Sequence, residues 1–151
     1  MSPILLDHDL CLKYKNRLSD FYFSNMQSCC FMDSFTYKEA VEKIEGMIEH
    51  VANGTAMVFG MFDKEVLIGF VWAYEHPYRE ETRVYVNEIH VDEAYRGKGI
   101  GRELMRAVEN MAKESGYRAM YIHAEGDNER AIRLYQHEGY TIERVQLRKE
   151  L

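Results

Sequence analysis

The chain has 151 residues, 46% of them hydrophobic, and a formal net charge of −6. That length and apolar content suit one domain over residues 1–151 with a substantial core, and the acidic balance argues against nucleic acid as a partner while still allowing a local anion site. Three cysteines, two of them adjacent (Cys11, Cys29 and Cys30), suggest no disulfide framework; with no apolar run long enough to span a bilayer and no leader-type start, a cytoplasmic protein without a membrane partner is expected.

A short apolar piece at Pro3 to Leu6 opens the chain. Asp7 or Asp9 can cap a first helix, whose buried stripe is Leu10, Tyr14, Leu18, Phe21 and Tyr22. Residues Asn25 to Ser34, with Met26, Cys29, Cys30, Phe31 and Met32, show no period and read as a partly apolar connector. Thr36 to Glu39 is a capping box, Val41, Ile44, Met47, Ile48 and Val51 follow on one helical face, and Asn53-Gly54 ends that helix.

Thr55 to Phe62 and Glu65 to Tyr74 read as a hairpin around Asp63-Lys64. The second strand is apolar on both faces, which assigns it to the middle of a covered sheet, and His76-Pro77 is expected to end it. Tyr78 to Thr82 then forms a charged loop before a central strand over Arg83 to Val91, with Val84, Val86, Glu88 and His90 on one face and Tyr85, Asn87, Ile89 and Val91 on the other. A third helix carries Ile100, Leu104, Ala107, Val108 and Met111 and runs to Ser115-Gly116; Arg118 to Ala124 is a strand parallel to 83–91 by right-handed crossover. Asp127 or Asn128 starts a last helix that Gly139 ends, and Tyr140 to Glu150 is read as a final strand.

Between the central strand and the third helix, Gly97, Gly99 and Gly101 alternate with Arg96, Lys98 and Ile100. Such a loop lets backbone N–H groups converge at a helix N-terminus, where the dipole favours an anion. The dinucleotide fingerprint would need a glycine where Arg102 stands, and a P-loop would need Ser or Thr where Gly99 stands. A phosphate-bearing ligand held by main chain is the expectation.

The run Arg96-Gly97-Lys98-Gly99-Ile100-Gly101 resembles the Arg/Gln-x-x-Gly-x-Gly/Ala signature of the GCN5-related N-acetyltransferases, and Asn128, Ala131, Leu134, Tyr135, Gly139 and Tyr140 resemble that family's second motif. The resemblance covers roughly residues 55 to 145 and implies an α/β fold: a mixed central sheet with a splayed parallel strand pair and flanking helices. It implies acetyl-CoA as cofactor and an amine-bearing substrate, with no metal. Backbone amides near Ile89 and Val91 would bind the acetyl carbonyl and pantetheine arm, Arg96 to Gly101 the pyrophosphate, and Asn128 the pantetheine region. Tyr135 would stand near the sulfur as general acid.

Acetyl transfer to an amine needs a proton removed from the acceptor and one given to the thiolate. Glu88 is the first candidate base and His123 the second; Asn87, His90 and Glu125 could flank the acceptor, which the carboxylates and acidic balance suggest is cationic. Only eleven residues follow Tyr140, fewer than the two C-terminal strands of many relatives would use, so a sheet edge is left that a second copy of the chain could cover. Two other readings remain open: an acyl-CoA-binding or sensor module without turnover, and a structural interaction protein. Polyamine-like molecules, aminoglycosides, amino acids and protein N-termini all remain as acceptors.

Overall fold

The computed structural model describes residues 1–28 and 34–151, so Cys29, Cys30, Phe31 and Met32 of the expected connector lie outside the described residues. Asp7 caps α1 (His8–Lys13) by accepting from Leu10 N–H. The predicted first helix is broken at Tyr14, whose φ of −102° and ψ of 13° leave the helical region, and α2 (Lys15–Gln27) follows. It runs to Gln27, three residues into the expected connector. The capping box of α3 (Tyr37–Ala52) forms as expected, with Thr36 and Glu39 bonding each other's backbone.

Strand β1 (Ile4–Leu5) pairs antiparallel with β2 (Ala56–Asp63), β2 with β3 (Val66–Tyr78), and β3 with β4 (Glu81–Val91); β4 then pairs in parallel with β5 (Met120–Ile122), so the sheet order follows the chain. Helix α4 (Ile100–Glu114) makes the crossover and α5 (Glu129–His137) follows β5. As its two apolar faces predict, β3 is covered on both sides. Phe70 and Trp72 pack with Leu18, Phe21, Ile44 and Met47 of α2 and α3, while Ile68, Val71 and Ala73 pack with Val84, Val86 and the Leu104 and Val108 stripe of α4.

Three expectations are corrected. His76-Pro77 does not end β3, because Pro77 pairs with Thr82 and the hairpin closes only at Tyr78 and Glu81. Asp92 N–H donates to Ile68 O, so even-numbered residues of β3 turn their backbone to β4 and odd ones to β2. Strand β2 begins opposite Tyr74; the N–H that Pro77 lacks would therefore have had no strand to meet.

The second correction is the facing of β4. Trp72 pairs with Glu88 but Ala73 with Val86, which leaves Asn87 as the extra residue of a β-bulge. Val84 and Val86 face α4, whereas Glu88 and His90 face α2. Third, residues 140–151 form no strand. Ile142, Val145 and Leu147 fall on both parities among charged residues and remain exposed, so strand geometry would bury no continuous apolar face. The segment is tied down instead by Arg83 to Glu143 (2.8 Å) and by Arg144 donating to the Tyr78 hydroxyl (3.3 Å).

Candidate functional site

Parallel pairing between β4 and β5 covers only Val84 to Val86 against Met120 to Ile122. Beyond that point β4 continues for five residues with no strand partner on that side among the described residues, and the two strands open a cleft at their carboxyl ends. Asp92 turns its backbone toward β3, and so by alternation do His90 and Glu88. The backbone groups of Ile89 and Val91 therefore point into the cleft. Arg96 Nε occupies the Val91 carbonyl (3.0 Å) and Asn25 the Ile89 carbonyl (3.0 Å); the Ile89 N–H donates to the Glu88 carboxylate, and the Val91 N–H faces the cleft.

At the same end, the glycine loop leads into α4. Gly97 and Gly99 have φ of +77° and +80°, and a Cβ at either would meet nothing within 4 Å, so each is required by conformation and faces open space. Gly101 differs: it lies inside the first turn at negative φ, and its Cβ would make ordinary contact with Val91 Cγ2 at 3.8 Å. The first backbone bond of α4 runs from Glu103 N–H to Gly99 O. Among the described residues, the amides of Gly97 to Arg102, which include Lys98 and Ile100, have no backbone acceptor, and they form an anion cradle reinforced by the helix dipole. Lys98 stays over the Tyr95 ring at 4.9 Å. Arg102 is drawn away, its Nε 2.6 Å from Glu138 Oε1 though not aimed at it as a hydrogen bond.

Glu88 stands beside the cleft. The Asn25 side-chain amide donates to its carboxylate and to Ile89 O, and this pair of acceptors fixes which way the amide is turned. Asn25 Oδ1 then accepts from His90 Nδ1 at 2.6 Å. Burial pushes the Glu88 carboxyl up to about 7, against the lowering effect of the Asn25 and Ile89 bonds. His90 is buried against Phe21, with ring centroids 4.5 Å apart; burial, helped by Arg96, lowers its pKa to about 4, so it is neutral near pH 7 with Nε2 unprotonated.

Tyr135 on α5 approaches from the other wall, its ring tilted against that of Tyr140 with centroids 5.7 Å apart. Its phenol is raised by burial and by the charge of Glu88, which puts the two groups within electrostatic reach, and its hydroxyl makes no hydrogen bond among the described residues. Asn128 caps α5 by accepting from Ala131 N–H (3.1 Å), which leaves its side-chain N–H₂ free to donate. His123 lies just past the paired part of β5, exposed, with Nδ1 3.4 Å from the Tyr85 hydroxyl. Among the described residues no hydrogen bond joins it to the Asn25, Glu88 and His90 group. Glu125 is exposed on the turn into α5.

On the α2 and α3 side, a groove of about 780 Å³ starts at the bulge residue Asn87 and is walled by Tyr22, Met47, Trp72 and Tyr74. The indole N–H of Trp72 is buried with no hydrogen-bond partner among the described residues. Asn25 and this groove are what the sequence reading lacked. The signal for Asn25 was present, since Leu18, Phe21, Tyr22 and Asn25 continue one helical spacing and end it with an amide.

Comparison with known proteins agrees with this architecture. The Acetyltransferase (GNAT) family profile matches residues 20–140. The uncharacterized N-acetyltransferase YdgE of Bacillus subtilis is 30% identical over 124 residues, covering 78% of this chain and 79% of that protein. The solved BH1408 protein of Bacillus halodurans superposes with a TM-score of 0.82 at 19% identity over all of both chains. AAC(6')-Iy in complex with the bisubstrate analogue CoA-S-monomethyl-acetylneamine gives 0.75 at 17% identity over 99% of this chain and 97% of that one. With the splayed parallel pair and the glycine-led helix, these matches show that the chain belongs to the acetyltransferase (GNAT) family.

Proposed function

We propose that this acetyltransferase moves an acetyl group from acetyl-CoA to a primary amine by direct attack, with both substrates bound together. The reading rests on one observation: β4 leaves β5 after Val86, so that the Val91 strand amide, an anion cradle at a helix N-terminus and a buried carboxylate share one cleft. The residues present fit CoA. The cradle from Arg96 to Gly101 suits a pyrophosphate, the Val91 N–H suits a carbonyl of the acetyl or pantetheine unit, the Ile89 N–H would have to leave Glu88 to join it, and the Asn128 amide is free to donate. Acetyl-CoA would supply the thioester carbon that the amine attacks.

Glu88 is the general base in this reading. A carboxyl with a pKa of about 7 is half ionised at neutral pH and accepts a proton far more readily than an ordinary glutamate. Asn25 holds it in one orientation. His123, exposed and apart from that network, is the lesser candidate. Tyr135 is raised further from ionisation by burial and by Glu88, so its phenol keeps the proton that a departing thiolate needs. The acceptor enters along the groove from Asn87, and the Glu88 carboxylate favours a cationic amine.

The test is release of free CoA thiol from acetyl-CoA across a panel of primary amines. Amine-dependent release, with acetylated product by mass spectrometry, is expected. CoA binding without release from any amine would mark a binding module and overturn the proposal.

A further inference from the structure

The sheet face that carries Glu88 continues away from it as a patch of rings. Tyr85 of β4 lies 4.8 Å from Tyr121 of β5, 5.3 Å from Tyr74 of β3 and 5.2 Å from His123, measured between centroids. His76 joins through its Nδ1, 2.8 Å from the Tyr121 hydroxyl. Among these, only Tyr74 packs on the core beneath α2 and α3; the others belong to neither core cluster and touch one another. Tyr74 also walls the groove that begins at Asn87, so the patch is continuous with the cleft.

Its far end displays the chemistry such rings favour. There the Tyr78 ring has Arg83 at 4.2 Å, with Arg79 and Arg144 at 5.5 and 5.6 Å. Tyr74, Tyr85 and Tyr121 have no cation of the protein over them among the described residues. They stay neutral, because burial raises each phenol, and a neutral ring offers a cation its negative face. The nearest anion along the strand is Glu88.

We propose that Tyr74, Tyr85 and Tyr121 form a cation-holding wall, and that the acceptor is an aliphatic di- or polyamine whose second, non-reacting ammonium lies on them. The assignment rests on the reading of Glu88 as the reacting end. Tyr85 and Glu88 pair with Tyr74 and Trp72, two residues apart on β3, because Asn87 is bulged out between them, which sets the two nitrogens about 7 Å apart at the rise of an extended strand. A monoamine of equal length would reach Glu88 and leave the rings unused.

The experiment compares linear diamines with monoamines of matched chain length. Binding to the CoA-loaded protein is followed by calorimetry and by fluorescence of Trp72, the chain's single tryptophan and a wall of the groove. Diamines spanning about 7 Å should bind roughly three- to thirty-fold more tightly than their monoamine counterparts. Tyr85→Leu and Tyr121→Leu should each erase most of that preference, while Tyr85→Phe, which keeps the ring, should retain it. Circular dichroism of each variant checks folding, and the wild-type comparison stands even if a Leu variant fails to fold. Equal wild-type affinity for mono- and diamine overturns the wall, whatever the thiol assay gives. Ring-dependent diamine binding without thiol release supports the wall and overturns acetyl transfer instead.

Discussion

The side-chain amide of Asn25, near the end of α2, donates to the carboxylate of Glu88 on β4 and ties a helix to the one strand that leaves its neighbour. The same amide holds the Ile89 carbonyl and, through its oxygen, His90. One side chain thus restrains three successive residues beside the bulge. Its bond stabilises the charged form of Glu88, while burial opposes it more strongly.

Removing that bond should therefore raise the Glu88 pKa. In Asn25→Ala the acidic limb of the kcat/KM profile is expected to shift upward from about 7, and in Asn25→Asp, where a like charge replaces the donor, to shift further. The measurement is a pH–rate profile beside ¹³C NMR titration of the glutamate carboxyls. A limb unmoved in both variants would separate Asn25 from the ionisation of Glu88.

A stability consequence follows from the same group. Folded Glu88 holds its proton to about pH 7 and an unperturbed one only to 4.5, so as pH rises between these values the unfolded chain releases the proton first and stability falls. At about 1.4 kcal/mol per unit, the loss is on the order of 3 kcal/mol above pH 7. His90 acts in the opposite sense, since its folded pKa of about 4 removes stability as pH falls below 6.5. The readout is thus the difference between wild type and Glu88→Gln. Glu88→Gln should gain on wild type in chemical denaturation at pH 8 relative to pH 4.5, and a pH-independent difference would contradict the raised pKa.

Much of the fold was legible because local signals agreed with global packing. The Thr36 capping box, the two-faced apolar run of β3 and the helical stripe of α4 each had one consistent reading. The bulge did not. Val84, Val86, Glu88 and His90 alternate in sequence as one unbroken face, and nothing local marks Asn87 as extra; pairing with Trp72 and Ala73 decides it. Pro77 misled for a related reason, since its missing N–H matters only if a strand lies on that side. In the site, glycine spacing identified the cradle, whereas Asn25 reaches Glu88 across 63 positions by a contact that no periodicity encodes.

The cradle makes its own prediction. Gly99 has φ of +80°, where a β-branched residue is strained, and its amide sits among those that face the anion. Gly99→Val should weaken CoA binding at least tenfold by calorimetry in a protein that still folds. Gly101→Ala, whose Cβ meets only ordinary contacts, should fold as wild type. Undiminished CoA affinity in folded Gly99→Val would locate the pyrophosphate elsewhere.

Tyr135 separates catalysis from packing at one atom. Tyr135→Phe keeps the ring that packs against Tyr140 and removes a hydroxyl with no hydrogen-bond partner among the described residues. General acid catalysis is typically worth about 10² to 10⁴ in rate, so kcat should fall by an amount in that range while CoA affinity changes little. A kcat within a few-fold of wild type would assign Tyr135 to packing.

The most direct test of the account is the pH dependence of acetyl transfer in wild type and Glu88→Gln, measured by thiol release with the best amine of the panel. In wild type, kcat/KM should fall tenfold for each pH unit below about 7 as Glu88 takes up its proton. Glu88→Gln should lower the rate about 10² to 10⁴-fold and abolish that limb. A variant that keeps both the rate and an acidic limb near 7 would show that the proton leaves the amine by another route.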